Sequence, residues 1–388
     1  MGEEYGTIIT SDGTGSMNIM AAGCWFDSGS FSDPSNLPGL HHFLEHILLN
    51  IPNIKKQFHK LKEKGILVNA FTSHEIMCFY AASPEEDMEE IMEFMKELLS
   101  SKIDPNEDLG FENERNIILS ELEYHNILVE HARESILNRM FPELRDRFRI
   151  LGTNEGIKSI RLEDVSELYN NIANRSCRFL TLCGNGIDQW LMDKQERYQG
   201  FNKNTCHSGQ EDKSIHTNLQ YHPVQSAGEA LHYSKDKIVH YTAGMFFRKE
   251  FRKEGQVFSE YVKEQLTEEL RERLSITYRV ETSNLNFRSG YVTFWMIKTL
   301  GQNVPLITEK IHLLIEKMKE EQAALLNQLE RKIRIRNSIK NNNVLSSLLK
   351  LGYENTILKD ETDDCDFIAF IKTMQNRKGD FYQNVIEL

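Results

Sequence analysis

No C-x-x-C pair occurs among the six cysteines (Cys24, Cys78, Cys177, Cys183, Cys206 and Cys365). Their scatter argues against a zinc-thiolate or dithiol motif and leaves ordinary thiols of a reducing compartment as the expectation. Prolines number only 8 in 388 residues, and 40% hydrophobic against 27% charged is the balance of a folded chain, so long disordered tracts are not expected. A basic excess is missing too. The formal net charge is −12, which sets nucleic acid aside as the main partner, because phosphate binding needs a positive face. No apolar run approaches the roughly 18 residues of a membrane span. The opening MGEEYGTIITSDGTGSMN has neither a basic region nor an apolar stretch, and no Ser or Thr where N-myristoylation wants one. These absences point to a cytoplasmic protein without membrane insertion.

What is present is a repeated texture. The length favours two domains of somewhat under 200 residues each. The first half alternates strand and helix signals: a strand in SMNIMAAGCWFDSGS, an apolar helix from Leu40 to about Asn50, and an amphipathic helix IKKQFHKLKEKG closed by Gly65. A β pair, ILVNAFTS with IMCFYAAS, and two longer helices follow; the second runs through FENERNIILSELEYHNILVEHARESILNRMF. In SPEEDMEEIMEFMKELLS the spacing turns Met88, Ile91, Met92, Phe94 and Met95 toward a core and the acids toward water. Residues 194–227 are polar and aperiodic, the composition of a linker. The second half then repeats the order of strand IVHYTAGMFF, long helix, β pair and two helices starting near Pro305 and Glu320. The expectation is an α+β protein of two related units, 1–193 and 228–388, each a mainly antiparallel sheet covered by helices.

The stretch GLHHFLEHILLN holds three histidines and a glutamate within six residues of an apolar segment. His42, Glu45 and His46 stand at i, i+3 and i+4, so a helix places them on one face. Two imidazoles so placed can bind one Zn²⁺, with the glutamate alongside to take a proton from water. H-x-x-E-H is the inverzincin order. A buried histidine-rich helix with satisfied hydrogen bonds would need no metal. A zinc site also needs a third ligand, and FENERNIILSELEYHN offers Glu112, Glu114, Glu121 and Glu123. Glu114 and Glu121 are seven residues apart, on one helix face with Cα atoms roughly 10 Å apart. One could ligate while the other sits behind; spacing does not say which.

The run GCWFDSGSFSDPSNLPGLHHFLEHILLN resembles the signature of the pitrilysin, insulysin and mitochondrial processing peptidase family of zinc metallopeptidases. In that family a glutamate about 75 residues after the last histidine completes the site, a spacing Glu121 matches, and the glutamate seven residues earlier, here Glu114, assists from close by. KLKEKGILVNAFTSHEIMCFYAAS is similar to its next block, which implies that the edge strand around Asn69, Ala70 and Phe71 pairs with the substrate backbone. LGTNEGIKSIRLEDVSELYNN and RFLTLCGN match the segment closing the first domain. LRERLSITYRV resembles the family's substrate-binding Arg/Tyr element, which would be Arg271 and Tyr278. His41 stands where the family usually has a small residue, as an outer donor or a mere neighbour.

The resemblance implies a zinc endopeptidase with one Zn²⁺ per chain on His42, His46 and Glu121, and Glu45 as general base. Short two-domain members work as dimers that enclose a chamber, the second domain of one chain facing the zinc of the other. Homodimers and heterodimers with a homologous subunit both occur, so the alternative is a zinc-bearing or inactive subunit that needs a partner chain. Extended peptides, leaders or targeting segments are the implied substrates.

Overall fold

The computed structural model describes residues 6–11, 18–124, 128–173, 178–194, 197–198, 201–203, 232–316, 322–340, 343–358, 365–375 and 381–388. Most of the expected linker, and Cys177 and Cys206, lie outside the described residues. The chain forms two compact units, each assembled from separated segments. The first takes Met1–His125, Asp146–Thr217 and Ile339–Lys359; the second takes Asn126–Arg145, Asn218–Ser338 and Asp360–Leu388. Neither is a single stretch of sequence, as the expected halves 1–193 and 228–388 would be.

The first unit is built on six strands: β1 (Gly6–Ser11), β2 (Ile19–Phe26), β3 (Leu67–Thr72), β4 (Met77–Pro84), β5 (Arg178–Gly184) and β6 (Phe201–Lys203). Their order across the sheet is β3-β4-β2-β5-β1-β6. β1 runs parallel to β5 and β6, and the other pairs are antiparallel. β2 is apolar at nearly every position because both of its faces are covered. Met20, Ala22, Cys24 and Phe26 join the main helical core. Ala21 and Trp25 point the other way, into clusters that include Leu348 and Tyr353 of the helix Val344–Thr356. The helix Met88–Ser100 buries the five expected apolar residues on the sheet. That is the amphipathic pattern resolved as the sequence implies.

The second unit is a four-stranded antiparallel sheet of β7 (Ile238–Arg248), β8 (Val280–Phe287), β9 (Gly290–Leu300) and β10 (Tyr382–Glu387), ordered β10-β7-β9-β8. The order β8-β9-β7-β10 matches β3-β4-β2-β5 of the first unit, so the repeat read from element order is a repeat of topology as well. Each sheet is completed by a helix from the other half of the sequence. Leu128–Met140 packs on β7 and β10, as Val344–Thr356 packs on the corresponding β2 and β5.

The second long helix of the first half is described over Phe111–Tyr124 and Leu128–Met140, with residues 125–127 outside the described residues, and the two parts serve different cores. Ile118 is buried in the first unit, whereas Ile136 lies against Gly244, and Phe141 just beyond the second helix meets Phe246, in the second. The long helix of the second half ends at Leu266 and continues as a π-helical turn, Thr267–Arg273. Among the described residues no helix is long and apolar enough to cross a membrane.

Candidate active site

The helix Leu40–Asn50 buries Leu40, Phe43, Leu44, Ile47 and Leu48 in the core of the first unit. That fixes its rotation and leaves His42, Glu45 and His46 on a less buried flank. It begins after Gly39, whose φ of 94° suits a residue without Cβ. A side chain there would also run into Gly152 and Ile157.

The helix Phe111–Tyr124 brings the acids. Arg115, at its start, donates to the carbonyls of Ile157 and Ile160 and pins it to the helix Asn154–Ser159. Glu121 Oε2 then lies 3.6 Å from His42 Nε2 and 3.7 Å from His46 Nε2. Two ligands about 2.1 Å from one tetrahedral metal stand roughly 3.4 Å apart. The three donors are therefore spaced as a set that could hold one such ion, and all lie within 4.8 Å of one another. Glu114 reaches the same histidine from behind, with Oε2 3.0 Å from His46 Nδ1. A carboxylate can only accept, so His46 donates from Nδ1; in the neutral ring that leaves Nε2, which faces Glu121, free of a proton. The remaining two acids take no such place: Glu112 pairs with Arg115 at 3.0 Å, and Glu123 is exposed.

Glu45 sits beside this cluster and accepts a 2.6 Å hydrogen bond from the Thr72 hydroxyl at the end of β3. Burial pushes its carboxyl above the ordinary carboxylate range; the Thr72 hydrogen bond and the field of His46 pull the other way, and Glu121 adds to the rise. Thr72 was not singled out from sequence. Its only signal is its place directly after the Asn69–Phe71 strand.

Asn69, Ala70 and Phe71 lie on β3, the terminal strand of the sheet, paired on its inner side with Tyr80, Phe79 and Cys78. The Asn69 side chain accepts the Ala70 N–H at 2.9 Å. This contact occupies a backbone donor of the kind that makes an exposed edge prone to pairing. The Phe71 ring packs among Trp25, Tyr80 and Tyr353, so its side chain is structural. Arg271 and Tyr278 belong to the second unit. Arg271 lies in the π-helical turn with its guanidinium 5.6 Å from the centre of the Tyr278 ring, which is 84% exposed. Ser275, at φ 52°, helps the chain turn between them.

The description "Insulinase (Peptidase family M16)" matches residues 10–146, the segment that carries the histidine helix, β3 and both glutamates. Residues 10–146 thus resemble the insulinase-like M16 peptidases. An uncharacterised zinc protease of Bacillus subtilis, YmxG, is 22% identical over 222 residues, 55% of this chain and 53% of its own length. The mitochondrial-processing peptidase subunit beta of Blastocladiella emersonii is 28% identical over 171 residues, 43% of this chain and 36% of its own. The matched region thus spans about half or less of these curated relatives. A protease from Helicobacter pylori shares the fold with a TM-score of 0.75 at 14% identity, over 100% of this chain and 98% of that one. An M16 inactive domain from Pseudomonas fluorescens does so at 0.71 and 11%, over 99% and 96%. The α+β architecture of this chain is therefore shared with these solved structures.

Proposed function

We propose that this chain is a zinc-dependent endopeptidase that hydrolyses extended peptides, such as leader or targeting segments. One Zn²⁺ per chain would be held by His42, His46 and Glu121. The observation that carries the reading is the convergence of those three donors with Glu45 beside them. Zinc bound there supplies Lewis acidity, making water acidic enough to attack near neutral pH and polarising the scissile carbonyl.

The side chains do the rest. Glu45, as general base, accepts the proton of the attacking water and returns it to the leaving nitrogen. A carboxyl raised by burial but held in reach of ionisation by Thr72 suits both halves of that task. Glu114 acts through His46, fixing its tautomer and ring. A substrate strand would add to β3 along Asn69–Phe71, displacing the Asn69 side chain from the Ala70 N–H. Pairing of that kind selects extended chains and positions the peptide bond before chemistry. Arg271 and Tyr278 would donate to the substrate near that bond, from residues 228–388 of a partner subunit in a dimeric chamber. The thiol pattern favours a cytoplasmic setting.

A second reading has the chain as one subunit of a heterodimer, active only with a homologous partner. The relative named as a subunit beta favours it. Zinc stoichiometry and cleavage of unstructured peptides, in wild type and Glu45→Gln, separate these possibilities. Zinc in both with cleavage only in wild type supports the peptidase. Zinc without cleavage in wild type points to the missing partner. A wild type that neither contains nor takes up zinc sinks the zinc reading.

A further inference from the structure

His41 is fully buried one residue before a proposed zinc ligand, and the proposed chemistry gives it no task. Its surroundings do. Asp33, also buried, accepts the Gly39 N–H on Oδ2 at 2.7 Å and the His41 N–H on Oδ1 at 3.0 Å. It thereby supplies acceptors for N–H groups at the helix start that have no partner within the helix. The same Oδ1 lies 2.6 Å from His41 Nδ1. Since the carboxylate only accepts, Nδ1 donates, and in the neutral ring Nε2 accepts from the Ser28 hydroxyl 2.8 Å away.

Ser28 lies in the loop after β2, and that loop is stitched to the β3–β4 turn. Ser30 N–H donates to Ser73 O at 3.1 Å and Phe31 N–H to His74 O at 2.8 Å, and Gly29 has no room for a side chain against the same turn. Next to Ser73 stands Thr72, which holds Glu45. The path from Asp33 through His41, Ser28 and the turn to Thr72 therefore joins the start of the histidine helix to the strand end that orients its general base.

We propose that His41 is a positioning residue of the zinc site, clamping the first turn of the histidine helix to the β2–β3/β4 loops so that His42 and Glu45 hold their places. The role rests on the zinc-peptidase reading. Side chains of an alanine or another small residue at this position could not span from Asp33 to Ser28. The same three groups also stand in the order of nucleophile, base and orienting acid. Against serine chemistry, the imidazole is wholly buried, and both Asp33 oxygens are engaged with the helix start.

The test measures zinc affinity by chelator competition, together with kcat and KM on an unstructured peptide, in wild type, His41→Ala, His41→Asn and Ser28→Ala. Loss of the clamp in His41→Ala is expected to weaken zinc about tenfold, the lower end for residues that orient ligands. It should lower kcat with little change in KM. His41→Asn keeps a donor toward Asp33 but loses the Ser28 end, as Ser28→Ala does, so both should fall between wild type and His41→Ala. A merely structural histidine would lower the melting temperature and leave the zinc affinity of the folded protein untouched, which overturns the proposal. Should His41→Ala not fold, wild-type zinc affinity and kcat in both other variants would overturn it equally. Labelling of Ser28 by a fluorophosphonate in wild type but not in His41→Asn would overturn it in favour of a nucleophile. Wild type that binds no zinc defeats the peptidase reading itself; wild type that binds it, with every variant alike, defeats only the role of His41.

Discussion

Replacing Thr72 by valine removes one hydroxyl and little else. Valine keeps the branched shape that suits the end of β3, where residue 72 pairs with Met77. What is lost is the 2.6 Å hydrogen bond to Glu45. A hydrogen bond to a charged group contributes about 1.5–3 kcal/mol, and it is made chiefly to the ionised carboxylate, so its removal drives the Glu45 carboxyl further up. The sign for activity follows. Protonated Glu45 cannot accept a proton from water, so the acid limb of the pH profile of kcat/KM moves to higher pH. On the acid side of that limb the loss is about ten- to hundred-fold, the hydrogen-bond energy read at roughly 1.4 kcal/mol per decade. Well above the limb the two proteins converge. For stability, burial already holds this carboxyl above its unfolded value, so its ionisation costs stability as pH rises. The variant enlarges that cost, which is absent below the unfolded pKa and complete above the folded one. The assay is cleavage of a fluorogenic peptide across the whole pH range in which the protein stays folded, with zinc content checked throughout. An acid limb that stays in place while zinc is retained refutes the role given to Thr72.

Glu114→Gln should weaken zinc by about ten- to hundred-fold, whereas Glu121→Ala should abolish stoichiometric binding; equal affinities in a competition titration would contradict the division of labour between the two acids. Gly352→Ala places a methyl on the Trp25 ring, which is itself held by Thr181 at 2.7 Å and stacked on Phe179. Overpacking of this kind costs about 1–3 kcal/mol, visible as a lower melting temperature of the full chain. Tyr278→Phe touches a ring that is 84% exposed, so stability should change by less than about 0.5 kcal/mol. A fall in kcat/KM for the peptide with an unchanged melting curve is the expected result, and an unchanged kcat/KM removes Tyr278 from the substrate site.

Much of the architecture was legible because it is periodic. The five apolar residues of Met88–Ser100 declared their face at helical spacing, and β2 was legible as a strand, though not as a central one. β1 and β10 escaped notice: GTIITS and YQNVIE are six residues each, too short for a period to rise above composition. The exchange of the helices Leu128–Met140 and Val344–Thr356 left no local trace either, since an amphipathic face does not say which sheet it covers.

The site divides along the same line. The sequence by itself determined that His42, Glu45 and His46 share a face, because four residues of helix leave no other geometry. For a third donor it offered four glutamates of one helix, among which the family resemblance, not the spacing, pointed to Glu121. Only tertiary structure brought Glu121 beside both imidazoles, set Glu114 behind His46, and gave Glu45 its partner in Thr72. His41 shows the difference most sharply. In sequence it is a spare histidine beside a proposed ligand; in the fold it joins Asp33 to Ser28 across a buried gap. Contacts between residues far apart in the chain are fixed by which faces share a core, and that choice is made by the packing of the whole unit.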